Sequence, residues 1–141
     1  MGGMSSSGNV PGPPDHHRRV LVADDEADHR WLVRLALEDS PDFAVVAEAA
    51  DGRQAAEQAK KVQPDIVLLD LDMPGADGLA SLAAVQAAAP AADVVLMTAF
   101  ADEHGLRERA ARRGVPLLDK ADLVIDLTGR LNAVLPARPQ R

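Results

Sequence analysis

The sequence predicts an α/β protein whose core is a doubly wound, five-stranded parallel sheet with helices on both faces. Three observations carry this reading. Five short runs rich in Val, Leu and Ile alternate with five longer Ala-, Arg- and Glu-rich segments of helical character. Two of the runs, "IVLL" and "VVLM", are apolar without a break, the pattern of strands covered on both sides. Strands that alternate with helices pair in parallel, because each crossover must return the chain to the same end of the sheet by a right-handed path.

The predicted strands are "VLVA" (20–23), "FAVVAEA" (43–49), "DIVLLDL" (65–71), "DVVLMTA" (93–99) and "PLLD" (116–119). Helices are expected at 27–39, 53–62, 78–88, 103–112 and 122–134. Asp51-Gly52, Pro74-Gly75 and Gly114 punctuate them as turns or caps. In the first helix, "HRWLVRLALE" places Leu32, Leu35 and Ala36 on one apolar stripe and leaves Trp31 off it. Aromatic residues make up only 2% of the chain, so the core is expected to be built from Ala, Val and Leu. The opening "MGGMSSSGNVPGPPDHHRR" has almost nothing to bury and is expected to be disordered. The expected organisation is a tail over 1–17, one domain over 18–135 and a short tail over 136–141.

In an open α/β sheet the ligand sits beyond the carboxyl ends of the strands, where the strand order reverses. Those ends carry Asp24 and Asp25 after the first strand, Asp70 after the third, Thr98 on the fourth and Lys120 after the fifth. With strand order 2-1-3-4-5, the first and third strands flank the switch point and the three carboxylates converge. At about 4 Å and an effective dielectric near 20, each ionised pair costs roughly 4 kcal/mol. Such a trio must hold a proton or bind a cation. Oxygen-only ligands suit Mg²⁺. A hydroxyl and an ammonium beside that metal are what a phosphoryl group requires.

Four pieces, "VADDE" (22–26), "LLDLDMPGADGL" (68–79), "MTAF" (97–100) and "LLDK" (117–120), fall in order at strand ends. Together they resemble the response-regulator receiver domains of bacterial two-component signalling, over about residues 20–135. The resemblance implies a flavodoxin-like fold and a switch activated by phosphorylation. It makes Asp70 the phosphoacceptor and a metal-site residue, Asp25 a direct Mg²⁺ ligand with Asp24 assisting through water, and the main-chain carbonyl of Asp72 a further ligand. Thr98 becomes the switch hydroxyl and Lys120 the phosphate-binding cation. A histidine kinase or histidine phosphotransfer protein is the implied donor, and slow autodephosphorylation follows from water replacing the donor nitrogen.

Two positions depart from the family pattern. Ala121 follows Lys120 where the family usually has a cis-linked proline, and Leu117 stands where many members carry Tyr or Phe. A short Leu117 predicts weak coupling between the site and the surface of the last strand, hence a monomer or a weak phosphorylation-dependent homodimer.

The net charge of −7 argues against binding to nucleic acid or anionic membrane, and the absence of cysteine excludes a thiolate metal site. No run is apolar enough to span a bilayer or serve as a signal peptide, so a cytoplasmic location is expected. The expected activity is self-phosphorylation and autodephosphorylation, not enzymatic turnover. "DLD" (70–72) also admits a haloacid-dehalogenase-like phosphatase, but that motif belongs on the first strand. A flavodoxin-like cofactor module would need a phosphate loop where "DDEAD" (24–28) repels anions. The expected form is a stand-alone regulator; a receiver fragment of a longer DNA-binding transcriptional regulator is the alternative.

Overall fold

Strands and helices alternate strictly along the chain in the computed structural model, which describes residues 17–74 and 78–136. The strands are β1 (Arg18–Ala23), β2 (Phe43–Ala49), β3 (Ile66–Asp70), β4 (Asp93–Thr98) and β5 (Leu117–Asp119). The helices are α1 (Ala27–Glu38), α2 (Gly52–Val62), α3 (Gly78–Ala88), α4 (Leu106–Arg112) and α5 (Lys120–Val134). The expected tail as far as residue 16, Gly75 of the expected Pro74-Gly75 turn, and residues 137–141 lie outside the described residues.

The sheet is parallel throughout, in the order β2-β1-β3-β4-β5, as the sequence predicts. Alternation of side chains splits its apolar residues between two cores. Leu21, Ala23, Val67, Leu69 and Leu96 pack with Leu79, Leu82 and Val85 of α3 and the alanines of α2. Val20, Val22, Ile66, Leu68, Val95 and Met97 pack with Val33 and Leu37 of α1 and Leu123, Leu127 and Leu131 of α5. Both sides of β3 are covered, which is why "IVLL" reads as one unbroken apolar run. Phe43 is the only buried aromatic among the described residues. No described helix is long and apolar enough to cross a membrane.

Register positions the site. Ala23 pairs with Leu69, Asp70 with Met97, and Thr98 with Asp119. Asp24, Asp70, Thr98 and Lys120 therefore end their strands at nearly one level, along one edge of the sheet.

Local chemistry sets the helix ends. The Asp51 carboxylate accepts the Gln54 N–H at 2.8 Å and caps α2, and the Asp119 carboxylate accepts the Ala121 N–H at 2.9 Å and starts α5. That cap starts α5 at Lys120, two residues before the predicted start, and the Lys120–Ala121 peptide is trans. Non-helical backbone at Asp126 interrupts α5, where the Asp126 carboxylate accepts the Gly129 N–H at 3.2 Å. Helix α4 begins at Leu106, not 103, because His104 and Gly105 both take positive φ.

The expected stripe on α1 is displaced in part. Val33 and Leu37 are buried and Ala36 packs against the same core, whereas Leu32 and Leu35 are 40% and 41% exposed; Trp31, read as off the stripe, is 58% exposed. In this rotational setting Arg30 and Arg34 both bind Glu48 of β2, Arg30 through Nε at 2.9 Å. Arg34 foremost, then Arg30, holds the Glu48 carboxyl below its ordinary range against the opposing effect of burial.

Helices α2 and α3 approach closely at Gly52, where a Cβ would stand 2.3 Å from Ser81 Oγ. Gly52→Ala is expected to destabilise the protein by about 1 kcal/mol through overpacking. Ser81→Ala in the same chain should recover that loss in urea denaturation. No loss in the single variant would mean the contact is relieved by rotation of the serine.

Candidate functional site

Four carboxylates and one ammonium meet at the carboxyl edge of the sheet. Ligand oxygens of Asp24, Asp25 and Asp70 all lie within 4.8 Å of one another. Asp24 and Asp70 are fully buried, while Asp25 is exposed and faces solvent from the same cluster. The loop after β1 fixes Asp24: its Oδ1 accepts the Glu26 N–H at 2.9 Å, and its main-chain oxygen accepts Arg30 Nη1–H at 2.6 Å.

Asp70 ends β3. Its Oδ1 accepts the Asp72 N–H at 2.8 Å. Its Oδ2 is buried without a well-aligned hydrogen bond and rests on the Lys120 ammonium 2.9 Å away. Lys120 Nζ also stands 3.6 Å from Asp24 Oδ2 and 3.7 Å from Asp72 Oδ2. One ammonium thus serves three carboxylates.

The electrostatics follow. Burial pushes the Asp70 carboxyl up to about 6, and the Asp24 charge adds to this; Lys120 and the Asp72 amide oppose it without prevailing. Burial alone would depress Lys120, but Asp70, then Asp24 and Asp72, outweigh it and hold the ammonium above its ordinary range. The residues present fit a hard divalent cation. They offer oxygen ligands, an excess of negative charge, an exposed carboxylate for entry and a buried Asp70 oxygen without a well-aligned hydrogen bond.

Thr98 is buried at the end of β4, and its hydroxyl donates to Asp72 Oδ1 at 2.7 Å while accepting the Phe100 N–H at 3.0 Å. The other Asp72 oxygen accepts the Ala99 N–H at 2.8 Å. All five positions named from strand ends, Asp24, Asp25, Asp70, Thr98 and Lys120, are therefore brought to one place, with Asp72 between them. Phe100 is exposed at the rim.

Sequence reasoning missed two groups. The His29 Nδ1 contacts Asp24 Oδ2, so an imidazole from the first turn of α1 is part of the acidic cluster. The signal was available in "DDEADHR", because a helix starting at 27 places residues 29 and 30 beside the strand end that precedes it. The second is the Asp72 side chain, considered from sequence only for its main-chain carbonyl.

Comparison with known proteins agrees with this geometry. The family model of the response regulator receiver domain matches residues 20–121. The chain is 38% identical to the chemotaxis protein CheY of Listeria monocytogenes over 96 residues, 68% of this chain and 79% of that protein. It superimposes on the signal receiver domain of NarL from Mycobacterium tuberculosis with a TM-score of 0.74 and 34% identity, covering 84% of this chain and 95% of that one. CheY6 of R. sphaeroides, solved in complex with the P1 domain of CheA3, gives a TM-score of 0.69 and 26% identity over 85% of this chain and 98% of that one. The chain spans only 23% and 33% of the length of two protein-glutamate methylesterases that it also matches, from Alkalilimnicola ehrlichii and Anaeromyxobacter dehalogenans.

Proposed function

The chain belongs to the response regulator receiver domain family, and on that premise we propose that it takes a phosphoryl group onto Asp70 from a phosphohistidine in a Mg²⁺-dependent reaction. The observation that supports this most is the buried Asp70 Oδ2, whose one close polar neighbour among the described residues is the Lys120 ammonium 2.9 Å away. An Asp70 carboxylate oxygen attacks phosphorus, an O–P bond forms, and the N–P bond of the donor breaks with its electrons returning to the imidazole. In-line positioning and charge neutralisation dominate such a transfer. Lys120 supplies positive charge on the Asp70 side, and Thr98 supplies a hydroxyl donor. Asp25 directly, Asp24 through water, Asp70 and the Asp72 main-chain carbonyl would hold Mg²⁺, which would supply the remaining charge neutralisation. Attack by water on the same phosphorus returns the carboxylate, so the switch carries its own clock.

The donor class is a histidine kinase or histidine phosphotransfer protein, a reading supported by the CheY6 neighbour, which was solved with a CheA3 P1 domain. The switch unit spans 18–135, and its own chemistry is self-phosphorylation and autodephosphorylation. Leu117 packs partly buried against the α2–α3 core and offers no ring to couple the site to β5, in keeping with a monomer or a weak phosphorylation-dependent homodimer. A cytoplasmic location for this exchange is part of the same proposal.

Acetyl phosphate provides the direct test. With Mg²⁺, intact-mass spectrometry should reveal a single phosphoryl adduct that decays on standing; with EDTA the adduct should be absent. Equal labelling in EDTA would remove the metal from the mechanism.

A further inference from the structure

The Asp72 carboxylate is an anion placed among donors that suit a different anion. Its Oδ1 takes the Thr98 hydroxyl at 2.7 Å and its Oδ2 the Ala99 N–H at 2.8 Å, with the Lys120 ammonium 3.7 Å from Oδ2. A hydroxyl, a main-chain N–H and an ammonium converging on one negative group form the complement of an oxyanion. The same ammonium lies 2.9 Å from Asp70 Oδ2, so this niche adjoins the carboxylate proposed as the phosphoacceptor. The Asp72 amide, in turn, donates to Asp70 Oδ1 at 2.8 Å, which keeps the two side chains in fixed relation.

We propose that the Asp72 side chain is a built-in competitor for the phosphoryl group: in the unphosphorylated protein it occupies the Thr98 hydroxyl and the Ala99 amide, and modification of Asp70 must displace it. The proposal rests on the reading of Asp70 as phosphoacceptor. It adds a regulatory residue to that site. A ligand shifts an equilibrium only by its differential affinity for two states, and here the unliganded state is held by two hydrogen bonds to a charged acceptor. Asp72 therefore biases Thr98 toward its resting position and lowers the apparent affinity of the site for any phosphoryl-like anion. With 21% of its side chain exposed, Asp72 has a route out to solvent when it is displaced.

The test uses the full chain, saturating Mg²⁺ and beryllofluoride as the phosphoryl surrogate. Asp72→Ala should bind beryllofluoride about threefold to tenfold more tightly than wild type by ¹⁹F NMR, with Asp72→Asn between the two. In the metal-free protein, the Ala99 amide should exchange at least tenfold faster in Asp72→Ala than in wild type, and beryllofluoride with Mg²⁺ should restore its protection. The gain from Asp72→Ala should shrink to less than half in a Thr98→Val background, because one of the two contested donors is gone. A gain of undiminished size there would mean that Asp72 acts through bulk charge alone, and would overturn the proposal. So would wild-type affinity in Asp72→Ala when wild type binds beryllofluoride normally. Failure of wild type itself to bind the surrogate would instead remove the phosphoacceptor reading, and the competitor with it.

Discussion

Asp70→Asn should abolish the phosphoryl adduct completely and, in the metal-free protein, raise stability. Both effects come from one carboxylate. The buried Asp70 group is held at about 6 instead of its ordinary 3.8, chiefly by desolvation. Keeping it ionised in the folded state costs about 1–3 kcal/mol. The direction in pH is set by which state holds the proton. Unfolded chain loses it near 3.8, whereas folded protein keeps it to about 6. Between these values the folded state binds more protons, so stability falls as pH rises across the window. The penalty is absent below about pH 4 and complete above about pH 6. Asp70→Asn should therefore melt higher than wild type at pH 8 and equal to it near pH 4, measured in EDTA. The same melting temperature at pH 8 would mean that Lys120 compensates Asp70 fully. An adduct persisting in Asp70→Asn would place the acceptor elsewhere.

Adding Mg²⁺ should raise the wild-type melting temperature by roughly 10 °C at a hundredfold excess over Kd, since binding to the folded state alone is worth about 2.7 kcal/mol there. The cation relieves repulsion among three carboxylates whose oxygens lie within 4.8 Å of one another. Asp25→Asn separates this electrostatic account from a general salt effect. Asp25 is exposed, so its removal costs no packing. The variant should melt slightly higher than wild type without metal and should bind Mg²⁺ at least tenfold more weakly. An unchanged apo melting point together with unchanged metal affinity would remove Asp25 from the cluster. Calorimetric titration and thermal melts in parallel buffers provide both readings.

The order of strands and the roll-call of strand-end residues were legible before any coordinates. Unbroken apolar runs such as "IVLL" mark strands covered on both faces, and a carboxylate at the end of such a run is too costly to be incidental. The convergence of Asp24, Asp70 and Lys120 at one sheet edge followed from that; the full burial of Asp24 and the place of Lys120 between the two carboxylates came with the structure. Hydrophobicity was a poorer guide on α1. There Leu32 and Leu35, placed on the buried stripe by the sequence, are exposed, while Trp31 is exposed as its place off that stripe predicts; on the same helix Arg30 and Arg34 pair with Glu48 of β2. A helix has one rotational setting, and the one adopted buries Val33 and Leu37 while it brings Arg30 and Arg34 to Glu48. Helix α4 started late for a reason local to the backbone, the positive φ of His104 and Gly105, which only Gly105 announces in the sequence. The contacts that matter most to the chemistry were the least visible. That His29 turns onto Asp24 is local to the turn between β1 and α1, whereas the reach of Asp72 to Thr98 and Ala99 depends on two strand ends meeting across the sheet edge. Spacing along a chain specifies which strand end a residue occupies. The donor its carboxylate selects depends on distances between strands 26 and 27 residues apart, which arise only when the sheet closes.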